Sequence, residues 1–265
     1  MRLPLLIAAS ALALSAASAA AAQSGPPVPV SPEPAPEWRV DLGAGVLTRP
    51  DYSGSDDYET SLLPAFAVSY GDVFTLRPGD GARLRAVKAG PFEAGLAANV
   101  RFGRDESDNP ALRGLGDVDT ALEGGGYVAW RSGPWSVSAS AVTALTDGYD
   151  GVIGEVGATW TGVTPVGLLS VGPRLRFVTE GVNQTYYGID AAQAARSGRA
   201  VYTPGGGLQG AGVGAGLLIP LSDRLTVGAL ANYDRLMGDA ADSPIVREGS
   251  RDQVTAGVFL GYRVF

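Results

Sequence analysis

Any chemistry in this chain must start from carboxylates, hydroxyls and guanidinium groups, because its 265 residues hold no His and no Cys. That absence removes a Ser-His-Asp triad, a thiol nucleophile, imidazole or thiolate zinc ligation and a disulfide framework. A Ser-Lys dyad or a Schiff base would have to use Lys88, the single lysine beside 19 arginines. Two groupings of carboxylates remain to be weighed. Asp119 and Glu123 stand four apart in an alternating run, which puts both on one strand face, as paired acid/base catalysis would need. Arginines share that face, so ion pairing is the expected role and no catalytic residue is assigned. Asp239, Asp242 and Glu248 share one segment and offer the oxygen ligands that calcium takes. Solvated loop carboxylates are far commoner than calcium sites, so no metal is expected.

The elements that would position these groups are strands. In residues 38–46 the even positions are Trp, Val, Leu, Ala and Val, and the odd ones are Arg39, Asp41, Gly43 and Gly45. Such two-residue periodicity is the mark of a strand with one apolar face. It recurs over 92–103, 118–130, 135–145, 154–160, 166–179, 209–219, 225–235 and 254–264, and in shorter runs at 62–70, 73–77 and 82–88. Helical periodicity is almost absent; the one short helix expected is 191–196, with Asp190 as its N-cap. Runs of about ten residues suit a tilted strand crossing a bilayer, whereas soluble strands usually have five or six. The predicted fold is therefore an all-β, transmembrane antiparallel β-barrel of 12 strands with both termini periplasmic. The count falls to 10 if 73–77 and 82–88 form a bent hairpin that does not cross.

In that barrel the face opposite the apolar one lines the lumen. It carries Arg39, Asp41, Arg83, Arg85, Glu93, Arg101, Asp119, Glu123, Glu155, Arg174 and Arg176. Gly210, Gly212, Gly214 and Gly216 share the inner face of one strand, where they give curvature and room for neighbouring Arg side chains, or a groove for a folded-in loop or ligand. They lack the spacing and following helix of a dinucleotide site, so no cofactor is expected. Connections at 49–61, 104–117, 181–207 and 238–252 are long, and those near 71–72, 90–91, 132–134, 164–165 and 220–223 are short. Outer-membrane barrels place short turns in the periplasm, which sets Trp38, Trp130, Trp135 and Trp160 together as a periplasmic aromatic girdle. Phe265 ends the chain, but the apolar series 258, 260, 262, 264 is shifted by one from it.

The first residues fit export. Met1-Arg2, an apolar run over 3–14 and small residues to Ala22 read as a signal peptide cut after Ala22. Six prolines within 23–37 then favour an extended periplasmic tether, with the barrel domain spanning 38–265. A net charge of -7 argues against nucleic acid as a partner, while outer-membrane lipid is expected to surround the apolar face. Glycine, 38 residues, is at about twice its usual share.

Three stretches carry a resemblance. They are Tyr52-Ser53-Gly54-Ser55-Asp56, then Tyr186-Tyr187-Gly188-Ile189-Asp190 running into Gln193-Ala194-Ala195 and Ser197-Gly198, then the loop stretch Tyr233-Asp234-Arg235-Leu236-Met237-Gly238-Asp239-Ala240-Ala241-Asp242-Ser243-Pro244-Ile245-Val246 with Gln253. Together they resemble the MipA/OmpV family of MltA-interacting outer-membrane proteins over nearly all of the expected mature chain. The resemblance implies a non-enzymatic barrel in the Gram-negative cell envelope, serving as a scaffold for a lytic transglycosylase and a penicillin-binding protein that remodel peptidoglycan. Other members resemble surface adhesins, antigens or permeability factors, and a charged lumen leaves a pore or uptake channel for small solutes open.

Overall fold

The computed structural model describes residues 38–265; the expected leader (1–22) and tether (23–37) lie outside the described residues. Twelve strands form a closed antiparallel barrel in which each strand pairs with its sequence neighbours and the first pairs with the last. They are β1 Trp38–Pro50, β2 Tyr58–Tyr70, β3 Phe74–Arg77, β4 Gly81–Ala89, β5 Phe92–Arg101, β6 Ala121–Ser132, β7 Trp135–Ala144, β8 Val152–Thr164, β9 Gly167–Val178, β10 Gly207–Pro220, β11 Leu225–Leu236 and β12 Asp252–Arg263. The alternation in the sequence maps directly onto the wall. Leu42, Val46, Leu62, Leu96, Val128, Val156, Leu175 and Val258 point outward and are exposed, as side chains meant for lipid must be. The count of 12 holds, although β3 has only 4 residues and stops well short of its neighbours.

Inside the wall, glycines are placed where a neighbour's bulk needs the space. A Cβ on Gly228 would lie 1.9 Å from Cζ of Phe259, the large ring that β12 turns inward. The shifted apolar series of the last strand is thereby explained. Val258, Leu260 and Tyr262 face out, Phe259 fills the interior, and Phe265 lies beyond the strand, where its carbonyl accepts from the Val40 N–H at 2.9 Å.

Helices occur only in the long connections. The expected short helix is α2, Ala191–Ser197, with a capping box between Asp190 and Gln193 and Gly198 at φ 75° as its left-handed C-cap. Three others were not foreseen: α1 Glu180–Tyr187, α3 Gly238–Asp242 and α4 Pro244–Glu248, beside a single 3₁₀ turn at Pro110–Leu112. Segments of five to eight residues carry too little periodicity to announce themselves and are held by packing.

Candidate functional site

Two regions hold the chain's polar and buried side chains: the lumen, and a cap over the end where the long connections lie. In the lumen, Glu123 of β6 is 1% exposed and sits among three donors. Arg101 of β5 donates to it at 2.5 Å, Asn99 at 3.3 Å and the Tyr149 hydroxyl at 2.8 Å. Across the barrel Arg174 of β9 grips Asp234 of β11 through two nitrogens and reaches Asn232 Oδ1 at 3.1 Å. Arg176 pairs with Glu155 at 3.1 Å. Register places Gly212 beside Arg174 and Gly210 beside Arg176, and a Cβ on Gly212 would stand 2.0 Å from Asp234 Oδ1. The glycine face thus makes room for arginines.

Nearer the short turns, Asp41 pairs with Arg39 at 3.2 Å and with Arg263 at 3.5 Å, Arg85 with Asp72 at 2.5 Å, and Glu93 with Arg131 at 2.9 Å. Arg83 lies over the Tyr127 ring, 5.2 Å from its centroid. Ten of the eleven expected lumen residues therefore face the interior or its rim. Asp119 does not: β6 begins two residues later, and Asp119 is exposed on the segment leading into it. The alternating run continues past the strand's end into a loop that crosses the barrel mouth, so parity there no longer reports a face.

The four tryptophans all point outward at the short-turn end. Trp135 and Trp160 are direct cross-strand partners, Trp130 is opposite Phe92, and the Trp38 ring packs at a 48° tilt against Tyr70, with centroids 4.9 Å apart.

The cap accounts for the loop motifs. Tyr52, Leu112, Leu115, Ile189 and Ile245, from four different connections, form one buried cluster. A second joins Tyr149, Ile153, Val178 and Val182, and a third Tyr187, Leu236, Ala240, Ala241 and Val246. Polar bonds stitch the clusters together. The Tyr187 and Ser53 hydroxyls are 2.6 Å apart, Ser243 Oγ donates to the Tyr187 carbonyl at 2.7 Å, and Gln253 accepts from the Gly54 N–H while donating to the Ser55 carbonyl, each at 3.0 Å. Gly54 has φ 105° and a Cβ there would meet Val246 Cγ2 at 2.7 Å, so both conformation and space demand glycine. Gly188 lies where a Cβ would strike the Gln184 side chain, Ser197 closes α2, Gly238 has φ 55°, and Pro244 opens α4.

The three carboxylates weighed as calcium ligands each have a protein partner. Asp239 accepts from the Gly205 N–H at 2.6 Å, Asp242 pairs with Arg247 and Arg251 at 3.4 and 3.3 Å, and Glu248 with Arg199 at 2.5 Å. Burial under the cap pushes the Tyr186 hydroxyl up to about 12, with Arg101 opposing, and raises that of Tyr187. Asp234, Asn232, Tyr149 and Phe259 are functional neighbours that sequence reasoning missed. Alternation in β11 placed Asp234 inside, but its position in a loop-like motif hid it.

An apolar belt outside, charges within, tryptophans at one rim and long connections at the other make this chain an outer-membrane β-barrel protein. The chain belongs to the MipA family: the family described as MltA-interacting protein MipA matches residues 42–264. The YiaT protein of Escherichia coli strain K12, named as an outer-membrane protein, is 28% identical over 235 residues, covering 84% of this chain and 90% of that one. Its counterpart in Escherichia coli O157:H7 matches to the same extent. Among solved structures, the NanC porin is similar at 8% identity, with a TM-score of 0.43, over 84% of this chain and 98% of the porin. An anion-selective porin from Comamonas acidovorans follows at 12% identity and a TM-score of 0.34, over 85% and 98%. Superposition at that level carries no information about transport.

Proposed function

We propose that this protein is a non-catalytic outer-membrane anchor that holds murein-remodelling enzymes at its short-turn, periplasmic end. The observation that carries the reading is the cap. Packed clusters drawn from five connections fill the outer mouth, leaving the short-turn rim as the accessible working face. The family's name, MltA-interacting, supports a lytic transglycosylase as the enzyme held, with a penicillin-binding protein as its companion. Absence of enzymatic activity is supported by the lack of His and Cys and by Arg partners on Asp41, Glu93, Glu123, Glu155 and Asp234. The test is crosslinking in intact cells followed by purification of the full chain. A lytic transglycosylase should co-purify and be lost when residues 23–37 are deleted; a crosslinked sample without any murein enzyme contradicts the reading. A solute channel is the second reading, favoured by the charged lumen, and it requires the cap to open.

A further inference from the structure

β3 is too short to cover its neighbour. Val40 accepts from Val264 N–H and donates to the Phe265 carbonyl, so its peptide groups face β12. Alternate residues of β1 then bond to β2, where register sets Ser69, Ala67, Ala65, Leu63 and Ser61 opposite them. The other peptide groups of β2, those of Phe66, Pro64, Leu62 and Thr60, point toward β3. But β3 pairs only with Val68, Ser69 and Tyr70. Above its tip no strand lies beside β2. The next wall is β5, which β4 covers only as far as Ala98.

This leaves a window. Two absent strands separate β2 from β5 by about three strand spacings, on the order of 14 Å. The β3–β4 turn forms its sill. Its roof is the β5–β6 connection, clasped onto the β1–β2 connection by Asn109, which donates to Asp51 and Asp57 at 3.1 Å each. Counting from Tyr70, which packs against Trp38 at the short-turn rim, Phe66 and Leu62 stand roughly 10 and 20 Å up a tilted strand. Both heights fall within the apolar band of about 25 Å that such barrels present. Pro64 sits at the middle of the free edge, where a missing N–H costs nothing and where a pairing strand would find no donor. Leu62 is 77% exposed.

Chemistry on either side of the window differs in a consistent way. At mid-height the wall inward of β2 is apolar: Leu63 and Phe259 flank Gly45, and Leu47 and Leu230 flank Gly257, with the Arg49–Glu59 pair above and Asp41 below. At the sill, Arg83 of β4 faces the lumen and rests on the Tyr127 ring; the β3–β4 turn sets Arg77 and the buried Asp80 carboxylate close enough to interact with it, so the cluster holds two guanidinium groups to one carboxylate. An apolar inner surface reached from the bilayer, with a cation at its lower edge, fits a ligand having a hydrocarbon chain and an anionic head.

We propose that the barrel opens sideways between β2 and β5 and that this window admits the acyl chain of an anionic amphiphile, whose headgroup is held inside by Arg83. The inference goes beyond the anchoring role and is independent of any periplasmic partner. Two measurements test it. In the first, nitroxides are placed on the refolded full chain at the inward positions Ala65→Cys, beside the window, and Ser138→Cys, on β7. The proposal expects Ala65→Cys to be at least threefold more accessible to oxygen dissolved in the bilayer; equal accessibility overturns an open window. In the second, the unsubstituted protein in phospholipid bilayers is irradiated with diazirine-bearing palmitate. Adducts should concentrate on 58–67 and 81–99 and fall several-fold in Arg83→Gln and in Ala65→Trp with Ala97→Trp. Adducts spread evenly around the apolar belt, or undiminished in both variants, overturn the proposed site.

Discussion

Replacing Leu112 by Ala should open the cap while leaving the barrel folded. Leu112 is fully buried and touches side chains from three other connections, Tyr52, Ile189 and Ile245. Removing three carbons at about 0.8 kcal/mol each loses roughly 2.4 kcal/mol of transfer energy. The cavity raises the cost toward 5 kcal/mol if Tyr52 and Ile245 cannot close over it. Because the barrel ladder runs independently through β1 to β12, the loss is concentrated in opening of the cap. At about 1.4 kcal/mol per factor of ten, amide exchange across α1, α2, α3 and α4 should accelerate by between about 50-fold and several thousand-fold. Exchange mass spectrometry on the refolded protein reads this directly, with β7 and β8 as internal references. Equal acceleration in those strands would show that cap and barrel are one cooperative unit, and unchanged exchange in the helices would show that the cluster is not what holds the mouth shut. Either result refutes the reasoning.

Three further outcomes follow from the same contacts. Glu123→Gln leaves Arg101 buried without its counter-charge and should destabilise the barrel by about 3–5 kcal/mol, seen as an earlier urea unfolding midpoint. Gly228→Ala forces the Phe259 ring to move and should lower stability by roughly 1–3 kcal/mol; adding Phe259→Ala removes the clash, so the two costs should fall short of additivity in the same unfolding assay. Alkaline pH should loosen the cap. Burial raises the Tyr186 hydroxyl from about 10 in the unfolded chain to about 12, so its contribution is complete below pH 10 and is lost as pH climbs toward 12. Limited proteolysis in 180–206 should therefore begin within that window, before strand circular dichroism changes.

Much of the fold is legible from alternation alone, because a lipid-facing wall imposes one physical demand on every second residue. Trp38 to Val46 shows this plainly: each even side chain is apolar and each even side chain points outward. The interior partners were readable in kind but not in pairing. Arg174 was placed in the lumen by parity, yet its grip on Asp234, two strands away, depends on Gly212 of the strand between them. The cap was the least legible part. α3 and α4 are five residues each and are stabilised by contacts with Tyr187 and Leu236 rather than by their own sequence pattern. Asp119 misled because alternation persisted where the strand had already ended. The runs 73–77 and 82–88 are too short in the sequence to decide whether they cross; β3 and β4 join the ring and stop partway, which creates the free edge of β2.

The central claim is that the outer mouth is sealed, and conductance across a planar bilayer tests it most directly. The full chain should show no steady conductance. A variant carrying Leu112→Ala with Ile245→Ala, in which the cap cluster is broken, should conduct through the charged lumen. Steady conductance from the unsubstituted protein, lowered by Arg174→Ala with Arg176→Ala, would contradict the sealed mouth and make the protein a channel.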